Sequence, residues 1–394
     1  MKRSSKTCFS LFLALLLLLG CVPEAFAEEP PSAVSTDDSG LIDAAVLDSW
    51  MEEYVAQNGL NGEYQVFSVG FCYTGTGDFW FWNADQWMYS ASLYKVPVSM
   101  LLAEKEADGE LTQDTVIANQ YGRGTLAKLE STALTLSSND SGHVLVEYMG
   151  GSYNGKCSDQ TIKYTPLLES YFTSDDFYDL SYYTARYMTY VMKTLYDGGK
   201  EAFPHVIEYL LDAQPEEYYK SDPTLKSSYA IAQKYGAFVE QNGNNNNHCA
   251  AIIYTPTPII VVVMTRNVGN YQRRIAEVGS YLADYALQLD EKQAALEQED
   301  LEQAVALTEM ENDAVVVQPA GSEADIESEV PAGEEITQAL PGNVQSANAV
   351  TGNTADADPI LRIITAVGLT GLIMFVVGLA AEAGGRRRRR KVKK

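Results

Sequence analysis

Strand-like segments fall into two groups separated by a long stretch of helical pattern, and that split constrains the fold of this 394-residue chain more than any other feature. Tyr64 to Tyr73 is rich in β-branched and aromatic residues, Thr74 to Asp78 has turn chemistry, and Phe79 to Trp82 resumes as a strand, so the first group reads as a β-hairpin. The second group comes only at Tyr229 to Val239, Cys249 to Tyr254 and Ile259 to Thr265, with turns at Gly243 to Asn247 and Pro256 to Pro258. Leu41 to Gln57 before the first group and Tyr271 to Leu289 after the second carry apolar residues at helical spacing. A sheet built from both groups must bracket everything between them. The order therefore predicts an α+β domain, an antiparallel sheet flanked by helices with a large all-helical lobe inserted.

Within the insert, Val144 to Met149 and Thr184 to Tyr196 are the clearest helices, the second capped by Thr184 and stopped at Gly198-Gly199. Between them, Gly150 to Ser181 is long, Tyr-rich and irregular. A loop of that length in a compact domain is functional, or a lid, or is held down by aromatic packing.

The two ends read differently. Lys2, Arg3 and Lys6 precede the apolar run Cys8 to Gly20, and Ala25-Phe26-Ala27 supplies small residues for cleavage, so residues 1–27 read as a secretory signal peptide and 28–40 as a linker. A rival reading takes Leu18-Leu19-Gly20-Cys21 as a lipoprotein cleavage pattern with lipid on Cys21. Residues 290–358 read as an acidic stalk, in which Glu291 to Asn312 can extend the last helix and Asp313 to Asp358 lacks periodicity. A transmembrane helix is expected at 359–383, around the uncharged run Ile363 to Ala381, followed by a basic tail at 384–394. By the positive-inside rule that tail stays in the cytoplasm. The chain then spans the cell membrane once, anchored by its C-terminal helix, with the domain at 41–289 outside.

The formal net charge is -25, and no Lys, Arg or His occurs between Lys292 and Arg362. An acidic surface of this kind excludes nucleic acid as a partner. Outside the leader the cysteines are Cys72, Cys157 and Cys249, too widely spaced for a disulfide framework or a zinc site, and read as packed thiols. With His143, His205 and His248 as the complete set of histidines, no metal and no cofactor is expected.

Chemistry enters at Ser92-Leu93-Tyr94-Lys95, at the head of the apolar run Val96 to Leu102. A serine and a lysine three places apart share one face of a helical turn. Two further elements follow in order, Ser137-Ser138-Asn139 and Lys234-Tyr235-Gly236, the latter on an expected strand. Taken singly, these residues read as a helix N-cap, a turn and a solvated strand-end lysine.

Taken together and in this order, they make residues Leu41 to Leu289 resemble the class A β-lactamase and penicillin-binding serine hydrolase family. Leu101 to Lys105, Asp108 to Thr112, and His248 to Thr265 add flanking likeness. The resemblance implies Ser92 as nucleophile, Lys95 as its base once burial and Lys234 lower the amine's pKa, and Ser137 as proton relay to the leaving nitrogen. It implies that Asn139 holds the substrate amide and Lys95, that Lys234 meets the substrate carboxylate, and that Tyr235, Gly236 and Ala237 line the substrate. The backbone N–H groups of Ser92 and Ala237 would form the oxyanion hole. Expected partners are a β-lactam or a peptidoglycan stem peptide ending in D-Ala-D-Ala, bound by a monomer.

Three departures qualify the activity. The family's Glu-x-x-x-Asn element is missing from the loop before Thr184, which offers Glu169, Asp175, Asp176 and Asp179, none followed by Asn at the required spacing. Acylation followed by slow release, or action on peptides, is then expected. Tyr235 replaces a small hydroxyl residue, which rearranges the carboxylate pocket, and Ser138 replaces a structural aspartate. An alternative reading is a non-catalytic wall-binding or sensor module that keeps the fold.

Overall fold

A computed structural model of the chain describes residues 40–214 and 216–315. The signal sequence, Cys21, the stalk beyond residue 315, the span expected at 359–383 and the basic tail lie outside the described residues. Among the described residues no helix is long and apolar enough to cross a membrane.

Helix α1 (Ala44–Gln57) is capped by Asp43, whose side chain accepts from the Val46 N–H, and leads into strands β1 (Val66–Tyr73) and β2 (Asp78–Trp82). After the short strand β3 (Met88–Tyr89) come α2 (Lys95–Ala107), the ribbon β4 (Val116–Asn119) and β5 (Gly122–Thr125), α3 (Leu126–Thr135) and α4 (Asn139–Tyr148). Strand β6 (Tyr182–Tyr183), α5 (Ala185–Ala202), α6 (Val206–Leu211) and α7 (Pro223–Ser228) complete the insert. The chain then returns through β7 (Ile231–Val239), β8 (Asn245–Ile253) and β9 (Ile259–Arg266) to α8 (Tyr271–Val315).

The two strand groups meet as the sequence order demands. β1 pairs with β9, so the five-stranded antiparallel sheet runs β2-β1-β9-β8-β7. Both faces of its centre are covered, which is why β9 reads as an unbroken apolar run and not an alternating one. The period of two survives in which core each residue joins. Ile259, Val261 and Val263 pack with α1 and α8 around Leu47, Met51, Ile275 and Leu282. Ile260, Val262 and Met264 pack on the other side with Val96, Met100, Met188 and Val191 of the helical lobe.

Most expected elements are present, with instructive shifts. Thr184 does cap α5, accepting from the Tyr187 N–H, and the helix breaks at Gly199, which turns to φ 51°. The turn expected at Gly243 to Asn247 is shorter, because β8 begins at Asn245. Those asparagines are held in the ladder by pairing on both sides, Asn246 with Phe238 and Arg266 and Asn247 with Ala237 and Thr265. Asn246 Nδ2 also donates to Glu240 Oε1 at 2.6 Å, and Asn247 Nδ2 to Asn245 Oδ1 at 2.9 Å, so tertiary pairing overrides turn propensity. The last helix continues past Leu289 to Val315, the extension the Ala, Glu and Gln composition allowed.

The Gly150 to Ser181 loop is packed down by aromatic rings. Phe172 and Phe177 lie 4.6 Å apart between centroids, and Phe177 also contacts Trp87, Tyr183 and Tyr187. Cys72, Cys157 and Cys249 are buried free thiols.

Candidate active site

Ser92 lies on a kink and not inside a helix. Ala91 adopts φ 49°, which turns the chain out of β3, and Leu93 and Lys95 donate their N–H groups to the carbonyls of Ser90 and Ser92 in tight three-residue steps. Helix α2 starts only at Lys95. The expectation that Ser92 opens the helix is therefore corrected, since the left-handed residue before it places it on the turn. The geometric consequence survives. Lys95 Nζ donates to Ser92 Oγ at 3.0 Å.

The same amine reaches the second element. It donates to the Ser137 carbonyl at 2.7 Å, to Ser137 Oγ at 3.5 Å and to Asn139 Oδ1 at 3.0 Å. Ser137 is itself in the left-handed region, at φ 57°, immediately before Ser138, which caps α4 by accepting from the Ser141 N–H. The cap explains why serine serves at position 138. It holds the helix start that presents Asn139, with no carboxylate needed. Strained backbone at both 91 and 137 is the kind of local cost that a surrounding fold sustains at a working site, about 1–3 kcal/mol each.

From the sheet, Lys234 of β7 donates to Ser137 Oγ at 2.8 Å and to the Tyr235 carbonyl at 2.7 Å. Ser137 thus bridges two lysines. Tyr235 stacks on Tyr218 with ring centroids 5.3 Å apart, while Lys234 Nζ lies 4.3 Å from the centre of the Tyr235 ring. Burial pushes the Tyr235 phenol up, and a hydrogen bond with Ser137 draws it back. Gly236 passes directly under the Ser92 turn. A Cβ there would sit 2.8 Å from the Ser92 nitrogen, closer than real Cβ contacts come, and 3.0 Å from Ala91 Cβ, a tight contact. Ala237, next along the strand, is exposed.

No carboxylate hydrogen-bonds to Lys95 or Lys234 among the described residues. Burial alone brings the Lys95 amine from 10.5 to about 7. Burial, then the charge of Lys95, holds Lys234 well below its ordinary value. A lysine in that state is a usable base near neutral pH. The loop carboxylates do not compensate. Glu169, Asp175 and Asp179 are exposed and Asp176 is half-buried.

Two contributors escape a reading of motifs. His248 on β8 is fully buried, and its Nδ1 accepts from the Thr265 N–H at 3.1 Å, so its Nε2 carries the proton and donates to the Tyr89 carbonyl at 2.9 Å. This ties β3, the strand feeding Ser92, to the sheet. Lys156, in the irregular loop, is 2% exposed and donates to the Tyr89 hydroxyl at 2.6 Å. Neither lies in a recognisable pattern. A lone lysine in a Gly-Lys-Cys context carries no sequence signal, whereas a histidine in an apolar strand does hint at a satisfied buried ring.

No curated protein sequence matches the chain. Among solved structures, a beta-lactamase from Chitinophaga pinensis is 15% identical, with 61% of this chain and 98% of that one covered and a TM-score of 0.49. An ancestral class A beta-lactamase is 18% identical, with 61% and 99% covered and a TM-score of 0.49. The TLA-3 extended-spectrum beta-lactamase is 13% identical, with 62% and 99% covered and a TM-score of 0.50, a likeness of fold. The sequence model of the Beta-lactamase enzyme family matches residues 52–286, more than half of the chain and the whole span from α1 into α8 that carries Ser92, Ser137 and Lys234. By that match the chain belongs to the beta-lactamase enzyme family.

Proposed function

We propose that the protein is a serine acyl hydrolase that forms an acyl-enzyme on Ser92 with β-lactams or with D-Ala-D-Ala-type cell-wall peptides, held outside the membrane by a C-terminal anchor. The observation that carries this reading is the shared network in which Lys95 reaches Ser92, Ser137 and Asn139 while Lys234 reaches Ser137.

In this reading the neutral Lys95 amine takes the Ser92 hydroxyl proton as Oγ attacks the carbonyl carbon. The oxyanion is met by the backbone N–H groups of Ser92 and Ala237, a reading supported by the close passage of Gly236, the residue before Ala237, under the Ser92 turn. Ser137 gives its proton to the leaving nitrogen and is resupplied from the lysines on either side. Lys234 and Asn139 hold the carboxylate and amide of the substrate, with the Tyr235 phenol at the border of the carboxylate pocket.

Substrate choice is decided by comparing two assays on the domain. Turnover of a chromogenic cephalosporin selects a β-lactamase, and release of D-Ala from a stem-peptide mimic with no such turnover selects a peptidase. If wild type and Ser92→Ala are alike in both assays, the protein is a binding or sensor module that has kept the fold.

A further inference from the structure

Lys95 and Lys156 approach one aromatic ring. Their amines lie 5.6 and 4.3 Å from the centroid of Tyr94, which sits between Ser92 and Lys95 in the chain and is itself 2% exposed. The Lys156 amine also lies 4.3 Å from the ring centre of Tyr89, whose hydroxyl accepts from it. No carboxylate bonds to this amine among the described residues, and an ammonium has three donors to place.

The backbone is committed to this placement. Lys156 and Cys157 are consecutive non-glycine residues in the left-handed region, at φ 50° and 57°. The Lys156 N–H donates to the Ser152 carbonyl, and Ser181 Oγ donates to the Gly155 carbonyl at 3.0 Å, pinning the segment to the far end of the loop. Such strain persists only where the surroundings hold it, so the loop backbone fixes where Lys156 stands. The exposed acids of the same loop are not so aimed.

We propose that the loop supplies the hydrolytic step with an amine in place of a carboxylate, Lys156 accepting the proton of the water that attacks the acyl group on Ser92. This rests on the reading of Ser92 as nucleophile. The water oxygen bonds to the acyl carbon as one of its protons passes to Lys156 Nζ. The tetrahedral intermediate then collapses, the bond to Ser92 Oγ breaks, and the intermediate's remaining hydroxyl proton is returned through Lys95 to Oγ. The product leaves as a carboxylate, and Lys156 gives its proton to solvent.

The surroundings suit a base. Burial, then the charge of Lys95, lowers the Lys156 amine from 10.5 to about 7. The groups facing it are Tyr89 from β3, Tyr94 and Lys95 from the Ser92 turn and α2, and His143 from α4. Tyr153 of the loop packs its ring at a tilt against His143, with centroids 4.4 Å apart. Glu240 acts on Tyr89 from beyond β7. Burial, then Lys95 and Lys156, keep His143 below its ordinary value, so the histidine adds no fixed charge at neutral pH.

Benzylpenicillin and intact-protein mass spectrometry separate the steps. Wild type, Lys156→Met and Lys156→Arg are expected to acylate at similar rates, while both variants hold the adduct about 100-fold longer or more. Arginine keeps the charge and the ring contacts but cannot act as a base, so a merely structural lysine would be rescued by it. Equal adduct lifetimes in wild type and Lys156→Arg overturn the inference, as does loss of acylation in both variants. A wild type that acylates but never releases overturns it while leaving the nucleophile intact. A wild type that forms no adduct removes the underlying reading and this one with it.

Discussion

Lys234 Nζ lies 2.8 Å from Ser137 Oγ, and the Lys95 amine reaches the same serine from the other side at 2.7 Å to its carbonyl and 3.5 Å to its hydroxyl. A hydroxyl between two amines is placed to pass protons. Ser137→Ala is expected to lower the acylation rate constant by about 100-fold or more, within the usual range for a general acid–base group. Stopped-flow labelling with a fluorescent penicillin measures this. A loss under threefold would show that Ser137 only positions the lysines.

The Lys95 amine, held at about 7 by burial, must be neutral to accept the Ser92 proton. Acylation is therefore expected to rise with pH through about 7 and then level. Lys95→Met should abolish that rise together with the activity. A rate that stays flat from about pH 5 to 9 would show that another group takes the proton.

Gly236→Ala puts a methyl 2.8 Å from the Ser92 nitrogen. Because the contacts on the turn side, the Ser92 nitrogen, Ala91 Cβ and the Ser90 carbonyl, are backbone or Cβ, the turn must move, and displacements of this kind cost about 100-fold in well-oriented reactions. The expected result is slow acylation in a protein whose thermal unfolding is cooperative. Unchanged acylation would mean that the turn yields without losing alignment.

His248 is held neutral, its pKa lowered from 6.5 to about 4 by burial. Between those values the unfolded chain binds more protons than the folded one. The stability contribution is complete above about pH 6.5 and is lost as pH falls through about 4, a difference of roughly 3 kcal/mol. Urea unfolding across that window measures it. His248→Gln should remove most of this pH dependence while costing about 1–3 kcal/mol at neutral pH, since the Tyr89 carbonyl and Thr265 N–H lose a matched partner. An unchanged pH profile in the variant would show that other groups set acid stability.

The split strand groups made the sheet legible, because apolar β-branched runs such as Ile259 to Thr265 allow few other fates. The three chemical elements were legible because each is local in sequence, and the fold then brings Ser92, Ser137 and Lys234 within one network. What escaped was non-local or conformational. The kink at Ala91 depends on a left-handed residue that its side chain does not announce. Asn246 and Asn247 look like a turn until pairing on two sides claims them. Lys156 acquires meaning only when two tyrosines from another part of the chain close over it.

The central claim is that Ser92 is a nucleophile activated by Lys95. The direct measurement is intact-mass analysis of the domain after incubation with benzylpenicillin, followed by peptide mapping of the adduct. A mass increase of one penicilloyl group, located on Ser92 and absent from Ser92→Ala, is the predicted result. A folded wild-type protein that carries no adduct at high penicillin concentration, or one labelled at another residue, would contradict it.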